Sequence, residues 1–176
     1  MSSIQIVTDS SCDLPEDLVA QLGIKIVPLK IRLGDTEYVD RLELSTAQFW
    51  EMCRQNDELP STAAPAPGAF IEVFQRAASE GASGVVAIVL SGQLSATIEA
   101  AQQAAREVEG TISVKVVDSR TVTLGLGAIV VAAARAAKAG ADINEIADIA
   151  ADGAARTHVH AALDTLENLR KGGRIG

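Results

Sequence analysis

Apolar residues along the chain follow two alternating periods. Short apolar runs at Ile4–Val7, Val85–Leu90 and Ile112–Val117 read as strands, and most of the stretches between them carry apolar residues three and four apart, the spacing of one helix face. Val85–Leu90 contains no polar residue, which marks a central strand buried on both sides. The first strand stops at Thr8-Asp9-Ser10-Ser11. Asp13 and Glu16 then stand at the spacing of an acidic N-cap and its capping box, opening a helix with Leu18, Val19 and Leu22 on one face and Gly23 at its end. Ile24–Leu33 reads as a second strand interrupted by Pro28, which donates no ladder hydrogen bond and so places the strand at an edge or a bulge. Gly34-Asp35 turns it into a hairpin with Tyr38-Val39.

Further along, Ser45 with Gln48 is a capping box for a helix carrying Phe49, Trp50 and Met52. Leu59–Gly68 holds three prolines and is expected to be extended throughout, with no helix. A helix with Phe70, Ile71, Phe74, Ala77 and Ala78 on one side follows and closes at Gly81. Later helices are expected over Thr97–Val108, over Thr123–Lys138 with a stop at Gly140, and from the Asp142/Glu145 box through Ala155. Val159–Leu163 is expected to be a last strand, and Thr165–Leu169 a short helix stopped by Gly172-Gly173. Strands alternating with helices imply right-handed βαβ units. The expected fold is α/β, a mostly parallel open sheet with helices on both faces.

Composition sharpens this picture. Apolar residues make up 48% of the chain but aromatics only 3%, so the core has to be built from Ala, Val, Ile and Leu, which suits helices packed closely on a sheet. The formal net charge of −8, with basic residues scattered apart from Arg170-Lys171, argues against nucleic acid as a partner. Met1-Ser2-Ser3 leads straight into the first strand without a basic leader, and the expectation is a cytoplasmic protein. The longest apolar stretch, Leu124–Ala137, is broken by Gly125, Gly127 and Arg135, so stable membrane insertion is not expected. Cys12 and Cys53 have neither metal nor redox spacing and read as two reduced thiols.

Ligands of open parallel sheets bind beyond the carboxyl ends of the strands. Three such ends are readable: Thr8-Asp9-Ser10-Ser11, Ser91–Ser95 and Asp118-Ser119. They are rich in hydroxyls and short acids and carry no Lys or Arg. No phosphate-binding loop ending in Lys and a hydroxyl residue is present. Gly125-Leu126-Gly127 lies inside an apolar helical run and reads as helix packing, and no G-x-S-x-G elbow occurs. A helix N-terminus with hydroxyls is nevertheless an anion site. Ser95, at the start of a helix, is either a carboxylate donor together with the amides of Ala96 and Thr97 or an ordinary N-cap. Thr62, in the proline-braced loop, is either a prepositioned donor or a solvent-facing residue. His158 and His160 share a face of the expected last strand but lack a third metal ligand nearby. Asp9 and Asp118 are either an acid–base pair or caps of the turns that follow them.

Five segments in order resemble the DegV family: Val7–Pro15, Ser61–Gly68, Leu90–Thr97, Val117-Asp118-Ser119 with Gly125-Leu126-Gly127, and Asp164–Gly176. The resemblance implies an amino-terminal α/β domain over residues 1–164 and a connector over 165–176 toward a second α/β domain. It implies a carrier rather than an enzyme, with no cofactor. A long-chain fatty acid would lie between the domains, its carboxylate held by Thr62 and Ser95, and would be presented to a separate fatty-acid kinase that makes the acyl phosphate. Ala63, Ser91, Gly92, Ala96 and Thr97 would support the two loops, with Thr8, Asp9, Ser10, Asp118 and Ser119 behind them and Arg174 at a hinge or partner-facing turn. Ala63 stands where the family has Ser and removes a donor, and Ala96 stands where it has Gly, which narrows the backbone choices there. Two other classes remain open: a regulatory module for another small acid, and a transferase-type enzyme using the Asp and Ser loops.

Overall fold

The structure, a computed structural model, describes residues 3–56 and 58–175. Met1 and Ser2 of the leader reading, and Gly176 of the last motif, lie outside the described residues. Four strands, β1 (Ile4–Asp9), β2 (Lys25–Val27), β6 (Gly84–Val89) and β7 (Ser113–Asp118), form an all-parallel sheet in the order β2-β1-β6-β7. Every residue of β6 is buried, as an unbroken apolar run between two neighbours requires.

Alternation along β1 and β6 sends successive side chains to opposite faces. On one face Ile6, Ile88 and Leu90 pack with Leu126, Ile129, Val130 and Ala133 of α5 (Thr123–Lys138) and Ile146 and Ala150 of α6 (Ile143–Arg156). On the other, Val7, Val85, Ala87 and Val89 meet Phe70 and Phe74 of α3 (Pro67–Ser79) and Ala100, Ala101 and Ala104 of α4 (Thr97–Glu107). Small alanines bring the helices down onto the sheet, and two phenylalanines fill the remaining space with their rings 5.9 Å apart. Gly127 answers to the same closeness. A Cβ there would stand 2.5 Å from the Cys12 carbonyl oxygen and 2.9 Å from Leu14 Cδ2, so α5 can approach the turn after β1 only without a side chain.

Several boundaries differ from the sequence reading. Pro28 does more than interrupt one strand: β2 belongs to the parallel sheet, while β3 (Lys30–Leu33) sits in a separate antiparallel sheet, between β4 (Thr36–Val39) and β5 (Ser61–Ala63). Asp13 does not cap α1 (Glu16–Leu22). It closes the 3-10 turn Ser10–Cys12 in the left-handed region (φ 52°), and Pro15 takes the N-cap position without a side-chain bond. The proline-rich segment is extended only as far as Ala66, because Pro67 fits the first turn of α3, where its missing N–H costs nothing.

Val159–Leu163 forms no strand. It pairs with no neighbour and its side chains are exposed, so the proposed shared strand face of His158 and His160 does not exist. The short terminal helix, α7, runs over Glu167–Lys171, two residues later than expected. The Ser45–Gln48 and Asp142–Glu145 boxes are both formed, opening α2 (Thr46–Gln55) and α6. No helix among the described residues is long and apolar enough to cross a membrane.

Candidate functional site at the carboxyl edge of the sheet

β1, β6 and β7 release the chain at one edge of the sheet, and the acids at that edge hold the loops together. Asp9 Oδ1 accepts from the Ser11 amide at 3.0 Å and its hydroxyl at 2.6 Å, while Oδ2 accepts from the Leu90 amide at 2.8 Å. Burial pushes the Asp9 carboxyl above its ordinary value, and these donors pull part of the way back. Asp118 accepts from the Arg120 amide at 2.8 Å and the Gly92 amide at 3.3 Å. A side chain at position 92 would stand 3.1 Å from Ile98 Cγ2 and 3.2 Å from Asp118 Oδ2, which is why the chain can pass so near the carboxylate. The two acids are thus committed to backbone amides as turn caps.

Hydroxyls complete the frame. The Ser119 amide donates to Val89 O at 3.0 Å, the Ser91 amide to Thr121 O at 2.9 Å, and the Thr121 amide to Ser119 Oγ at 3.3 Å. Thr121 takes part through its backbone amide and carbonyl alone, in the turn that a serine hydroxyl makes with the backbone two residues on. Ser10 Oγ accepts from the Leu29 amide at 3.0 Å, and Thr8 is fully buried, its hydroxyl without a partner among the described residues. Thr8 and Ser10 therefore lie inside the fold, behind the edge.

Within the loop that joins β6 to α4, Ser91 O accepts from the amides of Leu94 (2.9 Å) and Ser95 (3.2 Å), and Ser91 Oγ accepts from the Gln93 amide (3.2 Å). Ser95 is not the N-cap. Ala96 takes that position with φ −75°, so alanine there carries no backbone penalty, and no side chain caps the first turn of α4. The Ser95 and Thr97 hydroxyls instead pair with each other at 2.9 Å.

Ser91, Gly92, Ser95, Ala96 and Thr97 form this one loop, and Asp118 and Ser119 adjoin it. Thr62 and Ala63 stand apart on β5, opposite Ile31 and Lys30 of β3, both exposed and with no hydrogen bond to the loop among the described residues. Arg174 is exposed, and its guanidinium donates to the Gly172 carbonyl. A groove of about 730 Å³ that the sequence did not suggest runs between the 3-10 turn, the β3–β4 hairpin and α2. Leu14, Ile31, Leu44, Phe49 and Trp50 line it, with Asp13, Asp40 and Arg41. Partial burial raises the Asp13 carboxyl there, against the opposing pull of the Arg41 guanidinium. Among the described residues, no cluster of side chains suited to a metal ion occurs.

The model of the DegV family, described as uncharacterised proteins, matches residues 3–176. The chain belongs to the DegV family. It is 39% identical over 173 residues to a DegV domain-containing protein of Streptomyces coelicolor, covering 98% of this chain and 60% of the relative. It is 38% identical over 176 residues to one of Streptococcus pyogenes, covering 100% and 62% respectively. The chain therefore spans about three-fifths of the length of these relatives. Among solved structures it resembles a fatty-acid-binding DegV family protein from Thermus thermophilus, at TM-score 0.89 and 35% identity over 99% of this chain and 61% of that one. It also resembles DegV, a fatty acid binding protein from Bacillus subtilis, at TM-score 0.88 and 26% identity over 98% and 61%. The parallel sheet and its flanking helices are those of the DegV fold.

Proposed function

We propose that the chain binds the carboxylate of a long-chain fatty acid, with Ser95 on the β6–α4 loop and Thr62 on β5 as hydroxyl donors. The observation that carries the proposal is the start of α4. Its first-turn amides have no side-chain cap, they open at the carboxyl edge of a parallel sheet, and a half-buried serine hydroxyl stands one residue before the cap. An anion satisfies the uncapped amides of such an end, whose first turn carries one acid of its own, Glu99. The loop holds no Lys or Arg, so it recognises a head group through hydrogen bonds rather than through net charge. The fatty-acid binding of the Thermus thermophilus and Bacillus subtilis relatives supplies the ligand class. Asp9, Asp118 and Ser119 brace the loop from behind, and Arg174 lies at a turn toward the rest of the protein or a partner.

The bound acid is then a substrate for a separate kinase, and the chain is a carrier. No phosphate-binding loop or basic phosphate clamp is present in the sequence. Native mass spectrometry of the protein purified from cells tests the ligand, and a co-purified C14–C18 acid is expected. Incubation with ATP, magnesium and oleate tests the role. Acyl phosphate is expected only when a kinase is added, and its formation by the repurified protein alone would overturn the carrier reading.

A further inference from the structure

The Ser95–Thr97 hydroxyl pair has a direction, and that direction decides what the site accepts. Thr97 is fully buried, whereas Ser95 is partly exposed at the edge of the loop. Among the described residues the Thr97 hydroxyl has one partner, Ser95 Oγ at 2.9 Å, and as the first residue of α4 Thr97 has no preceding helical turn whose carbonyl could take its proton. Two arrangements satisfy this distance. If Ser95 donated, the Thr97 proton would be shut in the interior without an acceptor, and a buried donor without a partner is the costlier fault. If Thr97 donates, both protons are used: its own goes to Ser95 Oγ, and the Ser95 proton is turned outward.

We propose that Thr97 is a positioning residue that fixes Ser95 as a hydrogen-bond donor, so that the site selects ionised acids over head groups that bring a proton of their own. The inference rests on the fatty-acid reading above and adds its selectivity. Beside the one acid of that turn, Glu99, the uncapped first-turn amides of α4 and the Ser95 hydroxyl are then all donors. A carboxylate has acceptor sites only and meets all of them. An alcohol or a protonated acid offers a hydrogen where the site also offers one. Because the loop carries no cationic side chain, this polarity of hydrogen bonds is its means of discrimination.

The test compares dodecanoate with 1-dodecanol by isothermal titration, on the protein extended to the length of its relatives. The wild type is expected to prefer dodecanoate by tenfold or more. Thr97→Val keeps the shape but frees Ser95 to accept as well as donate, and the preference should fall severalfold with thermal stability little changed. Thr97→Ser should restore it. Ser95→Ala, which removes the other member of the pair, should also lose the preference and serves if the valine variant does not fold. Binding of both ligands alike by the wild type would overturn the inference, as would an undiminished preference in Thr97→Val. Binding of neither by the wild type would overturn the fatty-acid reading itself, and the role of Thr97 with it.

Discussion

The Asp9 carboxylate accepts the Leu90 amide at 2.8 Å, a bond between residues 81 positions apart that ties the end of β1 to the loop leaving β6. Replacing Asp9 with alanine leaves this amide and the two Ser11 donors without their acceptor. We expect Asp9→Ala to lower the stability of the fold by about 2–5 kcal/mol, since each buried unpaired donor costs about 1–3 kcal/mol and some are reached by water. Urea denaturation of wild type and variant measures it.

The same group makes stability depend on pH. Its folded value is raised, so the folded state holds the proton more tightly than the unfolded chain. The contribution is fully present below the ordinary aspartate value and is lost as pH rises through the raised folded one. Asp9→Asn removes this titration. The stability difference between wild type and Asp9→Asn is therefore expected to shift against the wild type as pH increases across that window, and a flat difference in urea titrations would show that Asp9 is not perturbed.

Gly127 and Gly68 make an opposed pair. A methyl at 127 collides with the Cys12 carbonyl and Leu14, whereas one at 68, in the first turn of α3, meets nothing within 4 Å. Gly127→Ala should cost roughly 1–3 kcal/mol through overpacking. Gly68→Ala should be neutral or stabilising by up to about 1 kcal/mol, as alanine is the better helix former. Thermal unfolding of the two variants reads both.

Losing a hydrogen bond to a charged group typically costs about 1.5–3 kcal/mol, so Ser95→Ala is expected to weaken fatty-acid binding on the order of tenfold or more. Thr62→Val should act in the same direction. Titration with a fluorescent fatty acid checks both, and unchanged affinity would remove the substituted residue from the site.

Length is expected to matter as much as the hydroxyls. An acyl chain of sixteen or so carbons exposes several hundred Å² of apolar surface, and at roughly 25 cal/mol per Å² stable binding needs most of it covered. Leu42 (77% exposed), Trp50 (57%), Leu163 (54%) and Leu166 (59%) lie open on residues 1–176. This chain alone is expected to fold, to self-associate, and to bind fatty acid far more weakly than a form extended to the length of its relatives. Titration of both lengths, with light scattering on the shorter, decides it. Equal affinity from a monomeric short form would place the whole pocket within residues 1–176.

Local signals account for what the sequence disclosed. The capping boxes at Ser45 and Asp142 and the apolar run of β6 need only neighbours in the chain, and each folds as read. Asp13 and Glu16 carry the same spacing, yet Asp13 is held in a left-handed turn by the 3-10 segment before it, and Pro15 is left to begin the helix. Val159–Leu163 shows that a mostly apolar stretch without a ladder partner does not make a strand. The pairing of Thr62 with Ile31, which joins β5 to a second sheet, depends on three non-local rungs that no local pattern announces. At the site, the hydroxyl-rich strand ends were legible, but their division of labour was not. Which oxygens are consumed by backbone amides and which stay open to other partners is settled only when the three loops meet.

On the reading that Thr62 and Ser95 hold one head group, that pairing has a thermodynamic consequence. The two donors are carried by separate hydrogen-bond ladders, one of them only three rungs long. β5 can therefore detach from β3 without breaking a rung of the parallel sheet. Measured affinity is then the product of the intrinsic affinity and the fraction of molecules in which β5 is seated. A substitution in the β3–β4 hairpin, touching no ligand at all, would loosen the grip in proportion to the seated population it removes.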